Sequence, residues 1–260
     1  MTYTKVLITG SNSYIASQCI PGLNLGNSEI FLVSRDTANL KYLINGSEVR
    51  SLEIKDFKDG GVLNTLAKFL QLNSGDKLLI INFIGNFGTI ESIEDLNLET
   101  FSLEVSENLI PFMVLSKLLL RCQSGLFLSF AGAGVGGDNL EVASLSYLAS
   151  KASIVVLVEG LDNVLRKNGV RVGAISPGAF PSRMQEVVAK SRNDSVVSTK
   201  RKNEALKILQ SKVDPSKLIY MLNFLIANPD DAGGRVWSAN FDSPETELGD
   251  RNFGKLRRIF

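Results

Sequence analysis

Short runs of β-branched and apolar residues recur along the chain at 6–9, 30–33, 49–54, 78–82, 126–130 and 170–175, with a last short one at 235–239. Segments with apolar residues at helical spacing separate them. Parallel strands read as continuous apolar runs because helices cover both faces of their sheet. The alternation therefore predicts an α/β fold: a Rossmann-like, doubly wound, mostly parallel seven-stranded sheet with helices on both faces. No internal repeat or Pro/Gly/Ser linker interrupts the pattern, so residues 1–260 are expected to form a single domain. The stretch 180–215 is less regular and reads as an insertion over the sheet.

Composition narrows the chemistry. Lys+Arg (28) and Asp+Glu (27) nearly cancel, and a net charge of +1 gathers neither nucleic acid nor an anionic membrane. The apolar runs fall far short of the ~20 residues that span a bilayer. The opening Met1-Thr2-Tyr3-Thr4-Lys5 lacks the features of a secretory signal. A soluble, cytoplasmic protein is expected, without nucleic-acid or membrane partners. Cys19 and Cys122 lie in apolar stretches and suit a reducing compartment better than a disulfide. The chain contains no histidine, which removes histidine nucleophilic sites, general bases and metal ligands. Proton chemistry falls to Tyr, Lys, Asp, Glu or Cys, and no metal site is expected.

Three segments carry candidate chemistry. After the first strand, Thr9-Gly10-Ser11-Asn12-Ser13-Tyr14-Ile15-Ala16 joins a tight turn to a helix N-terminus. Unpaired N–H groups there suit a pyrophosphate, with Gly10 letting the backbone approach. A plain turn with Ser11 or Ser13 as N-cap fits the same residues. Ser34-Arg35-Asp36 ends the second strand, where a Rossmann unit meets the adenosine ribose. Arg35 favours a 2′-phosphate and hence NADP(H), while Asp36 keeps NAD(H) open. In Ser144-Leu145-Ser146-Tyr147-Leu148-Ala149-Ser150-Lys151-Ala152, Tyr147 and Lys151 lie four residues apart on one helix face and can share a pocket. An ammonium beside the phenol is expected to lower its pKa from about 10 and make Tyr147 a usable acid/base. On its own, the spacing also fits an ordinary solvated helix face.

The order of further motifs changes that balance. Asn82-Phe83-Ile84-Gly85 ends the fourth strand, Asn108 lies in the helix leading to the fifth, and Pro177-Gly178 follows the sixth. Together with Thr9-Gly10, Asp56 after the third strand and the Tyr147/Lys151 pair, this order resembles the short-chain dehydrogenase/reductase family over nearly the whole length. The resemblance implies that Tyr147 exchanges a proton with the substrate oxygen, Lys151 holds the nicotinamide ribose and Asn108 anchors a proton relay. Pro111 cannot donate to the Glu107 carbonyl, so the helix should be distorted beside Asn108. The resemblance also places Gly10, Ser11, Ser13, Tyr14 and Ile15 at the pyrophosphate turn, and Ser34 and Arg35 at the ribose. Asp56 and Phe57 would flank the adenine, and Asn82, Phe83, Ile84 and Gly85 would pass along the cofactor. Pro177 and Gly178 would touch it too, with Ser182 at the carboxamide.

Two positions depart from the family pattern. Tyr14 stands where the family's turn has a small residue, so its ring should either point away from the pyrophosphate or cover it. The family's carbonyl-polarising serine is the second of a Ser-Ser pair ending the fifth strand; here Ser129 matches the first and Phe130 replaces the second. Successive strand residues face opposite sides, so a bulge at the loop 132–137 or a shifted register is needed to bring Ser129 to the site. Such a shift is expected, with Ser129 contributing to catalysis less than Tyr147. A buried structural serine, Ser144 or Ser146 reaching in, or a role left unfilled are the alternatives.

The resemblance implies a substrate lid at about 179–215, and the stretch 183–212 holds eight Lys/Arg against three Asp/Glu. That balance suits a phosphate-bearing or nucleotide-linked substrate and equally a solvated helix pair, while the segments 234–239 and 256–259 resemble family members found among bacterial surface-polysaccharide genes, which suggests a sugar-like substrate. The expected activity is hydride transfer between NADP(H), or NAD(H), and a small-molecule carbonyl/alcohol substrate. Rival readings are a sugar-nucleotide epimerase or dehydratase of the same fold, and a catalytically weak dinucleotide-binding regulator. The apolar helices 98–120 and 145–165 are expected to form a homodimer or homotetramer.

Overall fold

In the computed structural model, which describes residues 2–37, 49–132 and 144–244, the seven apolar runs become strands. These are β1 (Lys5–Thr9), β2 (Glu29–Ser34), β3 (Val49–Glu53), β4 (Lys77–Asn82), β5 (Ser124–Phe130), β6 (Val170–Ser176) and β7 (Val236–Ser238). They form one sheet in the order β3-β2-β1-β4-β5-β6-β7. Every pairing is parallel, so the sheet is wholly rather than mostly parallel.

The helices are α1 (Tyr14–Cys19), α2 (Val62–Phe69), α3 (Leu98–Leu119), α4 (Leu145–Leu165), α5 (Arg183–Lys190), α6 (Thr199–Gln210), α7 (Ser216–Ala227) and α8 (Pro229–Ala232). Strand alternation sends side chains to two separate cores. Leu126, Leu128 and Phe130 of β5 join the core under α1 and α7. Phe127 and Ala131 join the one under α2, α3 and α4. Each fully buried Leu, Ile or Phe contributes roughly 1.5–3 kcal/mol, so the sheet interior is a rigid platform.

That platform fixes α4. Ser144 caps it, accepting from the Tyr147 N–H at 3.3 Å. At the other end Asp162, buried, accepts from Arg171 at 2.9 Å and from the Val172 N–H at 3.0 Å, tying the helix to β6. The insertion 180–215 contains α5 and α6, which pack around a small core of Val188, Val197 and Ala205 completed by Phe87 and Ile90. Strand order reverses between β1 and β4, so a crevice opens at their C-terminal ends. No described helix is long and apolar enough to cross a membrane.

Candidate active site

A cleft of about 260 Å³ occupies this crevice. Gly10, at φ +67, forms one wall, and a Cβ there would lie 2.7 Å from the Ile84 nitrogen, so only glycine lets the β1 turn approach the β4 exit this closely. Ser13, Ser34 and Arg35 line the cleft, as do Asp56 and Phe57 after β3 and Phe83, Ile84 and Gly85 after β4. Nine of the residues expected to hold a cofactor are thereby brought together. Ser13 also fills the N-cap role, accepting from the Ala16 N–H at 3.2 Å.

Other members of the expected set lie elsewhere. Ser11 is buried against the Val33 carbonyl at 3.3 Å, and Ile15 packs into the α1/α7 core. Tyr14 is exposed and outside the cleft, so of the two placements open to its ring the structure has the outward one. Lys55 and Lys58 do line the cleft, although sequence reasoning passed over them. The readable signal was two cations flanking Asp56 directly after a strand.

The Tyr147/Lys151 pair stands at the end of β5. Lys151 is buried, and its ammonium donates to the Phe130 carbonyl at 2.8 Å. A Cβ on Gly85 would lie 3.6 Å from the same nitrogen, which places it between the exits of β4 and β5. A Cβ on Gly132 would lie 2.8 Å from Lys151 Cγ and 3.2 Å from Tyr147 Cε1, so a glycine after β5 lets α4 settle. Burial pushes the Lys151 ammonium down to about 8 and the Tyr147 hydroxyl up to about 12. The lowered phenol pKa expected from the sequence is therefore corrected. Desolvation prevails because the ammonium lies over the ring, 5.6 Å from its centroid, and is bonded to a carbonyl.

Asn108 acts as a clamp. Its Oδ1 accepts from the Asn86 N–H at 2.8 Å, and its Nδ2 lies 3.0 Å from the Asn86 carbonyl, 3.1 Å from that of Glu104 and 3.3 Å from the Ser150 hydroxyl. The helix α3 runs unbroken through Pro111, so the expected distortion does not interrupt it.

The expected shift of Ser129 is absent. The strands stay in register from Asn82↔Ser129 and Ser129↔Ala174 to Phe130↔Ile175, with no bulge through Phe130; the loop beyond Gly132 lies outside the described residues. The Ser129 hydroxyl is buried and accepts from Asn82 Nδ2 at 3.4 Å. Asn82 Oδ1 in turn accepts from the Thr9 hydroxyl at 2.8 Å and the Ile84 N–H at 3.1 Å. Ser129 and Asn82 thus belong to a polar ladder across β1, β4 and β5, and Asn82 shapes the cleft wall without lining it. Phe130 faces the other side, stacked on Phe83 at 4.6 Å. Ser144 and Ser146 are 3.1 Å apart, and Ser146 donates to the buried Glu104 carboxylate at 2.5 Å, so both hydroxyls are engaged.

Beyond β6, Gly178 has φ +84 and a Cβ there would collide with the Asn240 side chain, pinning the exit that includes Pro177. Ser182 is the N-cap of α5 but makes no capping bond with its side chain. Phe87, which sequence reasoning did not single out, places its ring 5.2 Å from that of Tyr147.

The model of the short chain dehydrogenase family matches residues 4–193. An uncharacterized oxidoreductase of Staphylococcus aureus (strain USA300) is 23% identical over 184 residues, covering 68% of this chain and 78% of the relative. The crystal structure of an NAD+-bound xylitol dehydrogenase superposes with a TM-score of 0.70 at 21% identity, covering 91% of this chain and 98% of the other. A short-chain dehydrogenase/reductase from Saccharomyces cerevisiae superposes with a TM-score of 0.75 at 19% identity, over 93% and 97%. At these identities the structural likeness speaks to the fold.

Proposed function

The chain belongs to the short-chain dehydrogenase family of oxidoreductases, and from that premise we propose that it catalyses hydride transfer between a nicotinamide dinucleotide, NADP(H) in preference to NAD(H), and a small-molecule carbonyl or alcohol. The observation that carries this reading is the Tyr147/Lys151 pair standing one helical turn apart beside the β4 and β5 exits. The dinucleotide, when bound, supplies or accepts the hydride. Tyr147 gives or takes the proton at the substrate oxygen; burial keeps the phenol protonated at neutral pH, the form that reduction needs, while making it a weaker acid than a free tyrosine. Lys151 holds the ribose hydroxyls next to the phenol. Gly10 leaves backbone room for a pyrophosphate, and Ser13 offers it a hydroxyl and the start of α1. Arg35, with Lys55 and Lys58 in the same cleft, meets a 2′-phosphate, while Asp56 and Phe57 border the adenine. Asn108 keeps the Asn86 backbone fixed, and α5 and α6 serve as the substrate lid.

One observation favours a second reading. Phe130 stands in the family's serine place and Ser129 is held in the strand ladder, so a dinucleotide-binding regulator with slow turnover fits as well. Titration of NADPH by its fluorescence, paired with turnover on a panel of carbonyl compounds, separates the two. The oxidoreductase reading expects binding plus turnover that Tyr147→Phe abolishes. Tight binding without turnover on any carbonyl selects the regulator.

A further inference from the structure

The loop that leaves β4 is held from behind by one face of α3. Asn108 bonds both the N–H and the carbonyl of Asn86, and the Asn86 side chain donates to Glu107. Glu104 lies 3.5 Å from the Thr89 hydroxyl and so close to Gly88, at φ +77, that a Cβ there would strike its carboxylate. Three residues at helical spacing thus secure the loop on both sides of Phe87. The Phe87 ring is left for two other neighbours. It packs on Tyr147 at 5.2 Å with an interplanar angle of 54°, and with Ile90 it completes the apolar core of α5 and α6. It remains only half-buried, whereas the three residues at the centre of that core are fully covered.

From this sharing we infer that Phe87 is a specificity-determining residue: it forms the apolar wall against which the group flanking the reacting carbonyl packs, and it is seated by the lid. The preferred substrates then carry an aryl or alkyl group beside the carbonyl rather than a polyhydroxylated chain. A ring offers no hydrogen bond, so a hydroxyl pressed against it loses its water without a partner, while an apolar group gains contact and sheds water. The backbone clasp by α3 makes this wall rigid, as selection by shape requires.

This inference rests on the oxidoreductase reading, and the test keeps the two apart. Wild type, Phe87→Ala and Phe87→Leu, each saturated with NADP+, are compared for binding of acetophenone and of dihydroxyacetone by saturation-transfer NMR. Reduction of the same two ketones with NADPH is then followed by kcat and KM. The expected result is a wild-type preference for acetophenone that falls roughly ten-fold in Phe87→Ala, mainly through KM and binding, and largely returns in Phe87→Leu. The readout is the ratio of kcat/KM for acetophenone to that for dihydroxyacetone, in which any general loss of activity in the variants cancels. Equal acetophenone binding in wild type and Phe87→Ala, or a wild-type preference for dihydroxyacetone, overturns the inference while leaving the oxidoreductase reading intact. Phe87-dependent binding of acetophenone without reduction does the converse: it supports the wall and removes the catalytic reading.

Discussion

The Lys151 ammonium donates to the Phe130 carbonyl at 2.8 Å, so the residue in the family's serine place serves the site through its backbone. A backbone acceptor is indifferent to the side chain that carries it. The phenyl ring of Phe130 is free to stack on Phe83 on the opposite side of the sheet without disturbing the lysine. On the proposed reading, proton transfer then falls to Tyr147 without help from a strand hydroxyl. Tyr147→Phe is expected to lower kcat by roughly 10²–10⁴ while leaving NADPH affinity within a few-fold, since the hydroxyl acts on the proton more than on binding. Stopped-flow turnover and fluorescence titration of the same preparation check both halves, and a variant retaining most of its kcat would remove Tyr147 from the mechanism.

The lysine makes the site sensitive to pH. Burial lowers its folded pKa from 10.5 to about 8, so the charge proposed to hold the ribose is present below pH 8 and lost above it. Cofactor affinity is expected to weaken as pH rises through about 8, and the break should vanish in Lys151→Met. Stability moves the other way. Between about 8 and 10.5 the unfolded chain binds the proton that the folded chain has released, so stability from this group rises with pH across that window. The raised Tyr147 pKa cancels this slope from about pH 10 and reverses it above about 10.5, because the folded chain then holds the extra proton. Urea midpoints of wild type and Lys151→Met between pH 7 and 10 should therefore converge as pH rises; parallel profiles would contradict a desolvated lysine.

Cofactor choice is expected to follow Arg35. Charge-assisted bonds to a 2′-phosphate are worth roughly 1.5–3 kcal/mol, about ten- to a hundred-fold in affinity. Arg35→Ala should weaken NADP(H) by that factor and NAD(H) far less. Equal wild-type affinities for the two cofactors would defeat the assignment.

The fold was legible because the strands β1, β2, β4, β5 and β6 are dry apolar runs, and such runs occur where helices cover both faces. The strands β1, β2 and β4 begin one residue earlier than those runs, since Lys5 and Glu29 pair with each other at the sheet margin, where their charges meet at 3.0 Å, and Lys77 pairs with Ser124 there. The cleft was legible from Gly10, Arg35 and Asp56, whose residue types match backbone approach, phosphate and a polar rim. Two features were not. Phe87 gave no local signal, because its importance lies in meeting α4 and the lid, both distant in sequence. The Tyr147 pKa was misjudged because spacing reports proximity to Lys151 and says nothing of the water both groups lose.

Self-association is expected through the outer faces of α3 and α4. Leu103 and Met113 on the first and Val156 and Val164 on the second are exposed, and Gly160 between the last two has open space above it. Burying such a surface against a second copy would recover the hydrophobic free energy it forgoes in water. Sedimentation at micromolar concentration should show a dimer or tetramer that Val156→Glu dissociates. A wild-type monomer under those conditions rules this out.

The expectation that Ser129 takes part in catalysis gives way to a structural one. With β4, β5 and β6 in register through Phe130, Ser129 faces the α3/α4 side and its hydroxyl answers the Asn82 amide at 3.4 Å. Removing the hydroxyl leaves a buried amide hydrogen without its acceptor, a loss of about 1–3 kcal/mol with the lower end favoured by the long bond. A catalytic oxyanion donor would instead cost roughly 10²–10³ in kcat. Ser129→Ala is therefore expected to lower the urea midpoint while kcat stays within about three-fold of wild type, a difference far below that of a lost oxyanion donor. The ladder adds a second readout. Asn82 also fixes the Ile84 N–H at 3.1 Å, so loosening it should raise the KM for cofactor before it touches kcat. A kcat reduced ten-fold or more at unchanged stability would mean that the strand shifts when substrate binds and that the hydroxyl reaches the site after all.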